Sequence, residues 1–221
     1  MITRLEVRVN DILLGPLERP ALRWLAAHTP AWVTPNMMTA LGLLGALVTA
    51  FGYALTHFGP GFLWLANAGL VLNWLGDSLD GTLARFRHAE RPRYGYFIDH
   101  TVDAFSLLAI SLGLGASPYV RFDLAALALI GYLLMASMTY IRVHVDRRFQ
   151  IAYGKIGPTE MRAAAVLVNT GIYFAGNPVL RLPLVQVTVF DLLVALVAAA
   201  EIVTFCVLSL ILAARYSDLD R

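Results

Sequence analysis

Two carboxylates three residues apart, Asp77 and Asp80, and two more four apart, Asp99 and Asp103, are the residues whose type and spacing offer the clearest chemistry. Spacings of three and four put side chains on one face of a helix. Asp77 and Asp80 therefore share a stripe with Gly81 and Ala84, with Arg85 on the adjoining one; Gly95, Asp99 and Asp103 form a stripe on the following segment. Four converging carboxylates need neutralising. One or two hard divalent cations with oxygen ligands, Mg²⁺ or Mn²⁺, do so at least cost. A single cysteine, Cys206, and no clustered histidine argue against zinc, and one cysteine makes no intramolecular disulfide.

The segments that must position these acids are too apolar for water. The 221 residues are 58% hydrophobic and only 14% charged, with a mean hydropathy of +0.67, whereas soluble domains carry about 25% charged residues. This excludes a soluble or disordered chain, and a net charge of +2 gives no ground for a nucleic-acid partner. Crossing a bilayer takes about 20 apolar residues. Six such spans are expected: Met37 to Thr56, Phe62 to Ala84, Tyr94 to Leu114, Leu124 to Val145, Thr159 to Gly176 and Val185 to Ala213. The fifth is short and interrupted by Asn169 and Thr170, so it also fits a buried or re-entrant segment. Short cytoplasmic loops collect Lys and Arg. With both termini cytoplasmic, Arg121 and Arg181 are the exceptions among 17 basic residues; Arg4, Arg147 and Arg221 count with the cytoplasmic majority.

The expected fold class is thus an all-α integral membrane protein: six transmembrane helices over 34–213, preceded by a juxtamembrane segment over 1–33. Met1 to Pro30 reads as a cytoplasmic amphipathic helix rather than a signal peptide, because its apolar residues are mixed with charge and need cover. Each intramembrane acid costs roughly 2.5–3.5 kcal/mol unless paired or hydrated, so four in two consecutive spans mark a function. A tight basic turn makes these spans an antiparallel pair with facing acidic stripes. By counting, Asp77 falls at a cytoplasmic end and Asp99 and Asp103 one to three turns inside, so the site opens to the cytoplasm.

The run Asp77-x-x-Asp80-Gly81-x-x-Ala84-Arg85, nine residues, then Gly95-x-x-x-Asp99-x-x-x-Asp103 resembles the signature of the CDP-alcohol phosphotransferases. The spacer is about one residue longer than in many members. The resemblance implies a membrane-embedded enzyme, dependent on Mg²⁺ or Mn²⁺ at a site of two ions. Such an enzyme moves a phospho-alcohol from a CDP-alcohol to a second alcohol and releases CMP. It further implies Asp77, Asp80 and Asp99 as metal ligands, and Asp103 as general base and ligand of a second ion. Gly81, Ala84, Arg85 and Gly95 would be the residues of CDP binding, with Gly95 relieving crowding, and the chain would work as a homodimer. Membrane lipids, a CDP-alcohol and a lipid substrate are the partners it implies, in the cell (inner) membrane.

Other features carry two readings. Thr34-Pro35-Asn36-x-x-Thr39 opens the first span as in that family, where Asn36 and Thr39 would lie near the nucleotide; it also suits a plain helix start, with Thr34 as N-cap. Lys155 to Glu160 resembles a stretch of choline and ethanolamine phosphotransferases, and equally a helix start with Glu160 at the positive dipole end. Arg142, Arg147, Arg148, Lys155 and Arg162 suit a phosphorylated acceptor or anionic headgroups, or positive-inside topology alone. For the acceptor side the set is Arg142, Arg148, Lys155 and Glu160. His100 points about 100° away from Asp99, which favours packing or a supporting bond over ligation. Glu201, near the middle of the sixth span, has no assigned partner. CDP-diacylglycerol is the favoured donor, with inositol, glycerol phosphate or serine as acceptor; the alternative is CDP-choline or CDP-ethanolamine with diacylglycerol. A cation transporter would need polar residues across the whole bilayer, and the acids gather at one side.

Overall fold

The computed structural model describes residues 7–9, 12–146, 148–150, 155–181 and 186–219, so Arg4, Arg147 and Arg221 lie outside the described residues. A short strand β1 (Val7–Val9) leads to α1 (Gly15–His28), α2 (Pro35–Leu55), α3 (Phe62–Phe86), α4 (Pro92–Gly115) and α5 (Phe122–Asp146). Strand β2 (Arg148–Gln150), helix α6 (Pro158–Ala175), strands β3 (Val179–Arg181) and β4 (Gln186–Thr188), and helix α7 (Val189–Leu219) complete the order. β1 pairs in parallel with β2, and β3 antiparallel with β4. The protein is an all-α membrane protein with these two ribbons in its connections. By length and composition α2 with its 3₁₀ extension, α4, α5 and α7 are long and apolar enough to cross a membrane. α3 carries Asp77, Asp80 and Arg85. α6 has 18 residues, about 27 Å at 1.5 Å per residue against a hydrocarbon core of about 30 Å.

Of the helix expected over Met1 to Pro30, residues 1–6 and 10–11 lie outside the described residues, and the rest is corrected by the structure. The helix begins only at Gly15, with a proline in its first turn, while the β-branched Val7 and Val9 belong to a strand paired with β2. One face of α1 buries Leu22 and Ala26 against Leu79 and Leu83 of α3; Leu17 and Trp24 stay exposed. Glu18 fixes this packing by accepting hydrogen bonds from Trp74 Nε1 at 2.7 Å, Ser78 Oγ at 3.1 Å and Thr159 Oγ1 at 3.0 Å. At the end of α3 the Arg87 guanidinium donates to the carbonyls of Thr29, Pro30 and Val33, clamping the α1–α2 loop.

α2 is the central helix, packed closely on α3 and also against α4, whereas α3 and α4 scarcely touch. The backbones of α3 and α4 therefore stand apart, with α2 packed on both, yet the acidic stripes meet as expected, on one cavity. Glycine explains the intimacy of α2 with α3: a Cβ at Gly76 would fall 2.2 Å from Gly42 N, and one at Gly45 2.3 Å from Asn73 N. No side chain fits there. At the far end of the bundle, Tyr53, Leu63, Ala66, Ile172 and Phe190 form an apolar core. A polar chain runs through it. Asn169 Nδ2 donates to Asn67 Oδ1 at 2.8 Å and to the Tyr53 hydroxyl at 3.0 Å, and Asn67 Nδ2 donates to Thr170 Oγ1 at 3.3 Å. The residues that interrupt the fifth apolar stretch are those that tie α6 to α2 and α3.

Candidate metal centre and active site

Asp77 and Asp80 sit near the end of α3, and Asp99 and Asp103 in the first half of α4. All four line a single cavity, with Thr39 of α2 at its side. Asp80 is buried, and its carboxylate accepts a hydrogen bond from Thr39 Oγ1 at 2.6 Å. Asp77 is paired with Arg162 of α6, Nη1 to Oδ2 2.8 Å. The carboxyl groups of Asp103 and Asp77 are hydrogen-bond neighbours. Two carboxyl groups in such contact need a proton or a cation between them, and Arg162 supplies one positive charge beside them.

Asp99 lies 3.4 Å from His100 Nδ1. The ligand atoms of Asp99, His100 and Asp103 all fall within 4.8 Å of one another, a grouping able to hold a metal ion. The His100 ring also contacts the rings of Tyr96, 4.2 Å between centroids, and Tyr140, 5.5 Å. The structure thus brings His100, expected to point away, to the side of Asp99 and into the grouping able to hold a metal ion, while the four carboxylates line the shared cavity.

Of the residues assigned to CDP, Thr39 touches Asp80 directly. Asn36 is not part of the cavity lining; it accepts from Arg91 Nη2 at 2.8 Å and donates to the Tyr94 hydroxyl at 3.4 Å, and Arg91 also lies 4.3 Å above the Tyr94 ring. Arg85 is exposed, and its side chain folds over Gly81 and donates to Thr82 Oγ1 at 3.2 Å. Ala84 is half-buried on the same stripe. A Cβ at Gly95 would meet nothing within 4 Å, so no protein group crowds this position in the free chain.

Among the described residues, Arg142, Lys155 and Glu160 do not line the cavity. Arg142 is buried and pairs with Asp146 at 3.8 Å, which also accepts from the Tyr216 hydroxyl of α7. Lys155 is exposed and Arg148 belongs to β2. Glu160 accepts from Gly157 N at 2.9 Å and Leu14 N at 2.8 Å, thereby fastening the start of α6 to that of α1. Sequence reasoning placed Arg162 only among the basic residues and overlooked Glu18, Asn73 and Ser106. Asn73 stands four residues before Asp77 and Ser106 three after Asp103, so extending each acidic stripe by one turn would have found both.

A family model described as CDP-alcohol phosphatidyltransferase matches residues 32–200. The chain belongs to the CDP-alcohol phosphatidyltransferase family. It is similar to cholinephosphotransferase 1 of Gallus gallus, 27% identical over 179 residues, covering 76% of this chain and 51% of the relative. Similarity to the archaetidylinositol phosphate synthase of Pyrococcus horikoshii is 33% identity over 99 residues, 45% of this chain and 50% of the relative. The phosphatidylinositol phosphate synthase of Cutibacterium acnes is 31% identical over 119 residues, 52% and 55% of the two chains. This family member spans about half the length of the curated relatives it matches.

Proposed function

We propose that this protein is a membrane transferase of phospholipid synthesis that moves a phospho-alcohol group from a CDP-alcohol to a second alcohol, with release of CMP. The observation that carries the reading is the convergence of Asp77, Asp80, Asp99 and Asp103 on one cavity. That donor set fits Mg²⁺ or Mn²⁺: it is all oxygen, and its charge exceeds what Arg162 alone can offset. Asp77, Asp80 and Asp99 would hold the metal, and Asp103 a second ion. Bound there, divalent ions supply charge neutralisation for the pyrophosphate.

The chain's own residues do the rest. Asp103 takes the proton from the attacking hydroxyl as its oxygen bonds to the phosphorus carrying the alcohol, and the bond from that phosphorus to the CMP oxygen breaks. Arg85 holds a phosphate, Gly81, Ala84 and Gly95 give the nucleotide close approach, and Asn36 would lie near the nucleotide. Thr39 orients Asp80. Lys155, which is exposed, would meet an acceptor or lipid headgroups, Arg142 would act through its pair with Asp146, Arg148 stays an acceptor-side candidate, and Glu160 would position the start of α6. We take α2 to α7 as six spans, with α1 on the cytoplasmic surface and the site open to the cytoplasm of a homodimer in the cell membrane. The basic residues Arg85, Arg87, Arg91 and Arg93 beside the site support that orientation.

CDP-diacylglycerol is the donor we favour, with a small polar alcohol as acceptor; the synthase relatives match at the higher identities. A second reading, CDP-choline or CDP-ethanolamine with diacylglycerol, draws on the longer alignment to cholinephosphotransferase 1. Purified protein incubated with each donor, a panel of alcohols and Mg²⁺ or Mn²⁺ should release CMP with one donor class. Asp103→Asn and Asp80→Asn should each lower turnover by roughly 10²–10⁴-fold; undiminished turnover in both would end the proposal.

A further inference from the structure

The aspartate cavity continues one turn deeper than the carboxylates. There its lining includes Asn73 of α3, four residues before Asp77, and Ser106 of α4, three after Asp103. Both residues are almost wholly buried, 2% and 3% exposed. Asn73 Oδ1 and Ser106 Oγ have no hydrogen-bond partner among the described residues. A buried polar atom without a partner costs about 1–3 kcal/mol, so two at one place call for an explanation.

Neither atom is left over by accident of packing. Asn73 Nδ2 donates to Gly42 O at 2.9 Å; since a carbonyl accepts only from the nitrogen end of the amide, the oxygen is the end turned elsewhere. Ser106 is an exception to a local habit. Thr49, Thr82, Thr101, Ser137 and Thr170 each donate to the carbonyl four residues earlier in their helix. Ser106 forgoes that bond. The buried amides of Asn67 and Asn169, on α3 and α6, are satisfied by protein partners. Glu201 Oε2 of α7 is also without a partner among the described residues, but Asn73 and Ser106 bring their unmet atoms to the lining of one cavity.

We infer that Asn73 Oδ1 and Ser106 Oγ form a binding position for one O–H donor at the floor of the aspartate cavity. Asn73 Oδ1 accepts the hydrogen, and Ser106 Oγ accepts or donates to the same oxygen centre. The ligand is neutral and hydroxyl-bearing, because the floor carries no charge of its own and the carboxylates stand one turn above it. Two sources share this chemistry: a water molecule that completes the shell of a bound ion, and the hydroxyl of an alcohol substrate. The inference rests on the proposed transferase reading.

Ser106→Ala is the decisive variant, since it removes no bond made within the protein. In the metal-free full-length protein its thermal midpoint should equal or exceed that of the wild type, because a buried hydroxyl without a partner disappears. Mn²⁺ alone, titrated against both proteins by the electron-spin signal of the free ion, then distinguishes the sources. A three- to tenfold weaker Mn²⁺ affinity identifies the ligand as an ion-bound water. Unchanged Mn²⁺ affinity with a three- to tenfold higher KM for the alcohol acceptor identifies it as a substrate hydroxyl. If neither quantity moves while the wild type binds Mn²⁺ and releases CMP, the floor position is refuted and the transferase reading stands; a wild type that does neither refutes that reading instead. Ser106→Cys, close in shape and a weaker hydrogen-bonding group, gives the same comparison should the alanine variant fail to fold.

Discussion

Two buried polar clusters occupy opposite ends of the same helices, and they are built to opposite rules. At the far end, Tyr53, Asn67, Asn169 and Thr170 satisfy one another within an apolar core, and Asn169 is fully enclosed. At the near end, four carboxylates gather on a cavity with one arginine among them, and two further polar atoms are without partners among the described residues. A satisfied network fixes helices in place, whereas an unsatisfied one retains affinity for something outside the protein. The first cluster holds the bundle, and the second is its working surface.

That contrast can be broken or sharpened by substitution. The largest effect is expected from Gly76→Ala: its Cβ would overlap the α2 backbone, so it should cost about 3 kcal/mol and disturb both clusters, read as a lowered thermal midpoint with weakened Mn²⁺ binding. Asn169→Leu should follow, at about 2 kcal/mol, because it strands Asn67 and Tyr53 without their partner. Its Mn²⁺ affinity should stay close to that of wild type; a large loss would mean that the two ends are not separable. Arg162→Gln should destabilise the metal-free protein by about 1–2 kcal/mol through loss of the half-buried pair with Asp77. Saturating Mg²⁺ should restore most of that midpoint, since the ion replaces the missing positive charge. The smallest effect belongs to Gly95→Ala, which meets nothing in the free protein: stability should change by less than about 0.5 kcal/mol. CMP-releasing activity should fall if the nucleotide occupies that space.

The near end was far more legible in the sequence than the far end. Asp77, Asp80, Asp99 and Asp103 declare themselves because helical spacing makes a stripe and because acids in apolar segments are costly. The positions of α2 to α6 follow from the same apolar runs with boundaries within two residues of those expected, whereas α7 starts four residues later and ends six later than its run. What periodicity does not encode is which helix stands between which. The short turn after α3 suggested that its partner is α4, yet the glycines of α2 let that helix approach α3 more closely than any side-chain-bearing surface can. Asn169 looked like a defect in an apolar run, because its partners Tyr53 and Asn67 lie over a hundred residues away in sequence. The strands β1 and β2, three residues each and distant in the chain, are too short to show a period of two.

The fastening of α1 has a mechanical consequence. Through Glu18 it is bolted to α3 and α6 at once, and the Arg87 clasp grips the loop that leaves it. The exposed Leu17 and Trp24 side of α1 thus belongs to an element bonded both to the helix bearing Asp77 and Asp80 and to the start of the helix bearing Arg162. The two elements joined by the Asp77–Arg162 pair are thus held a second time, through Glu18.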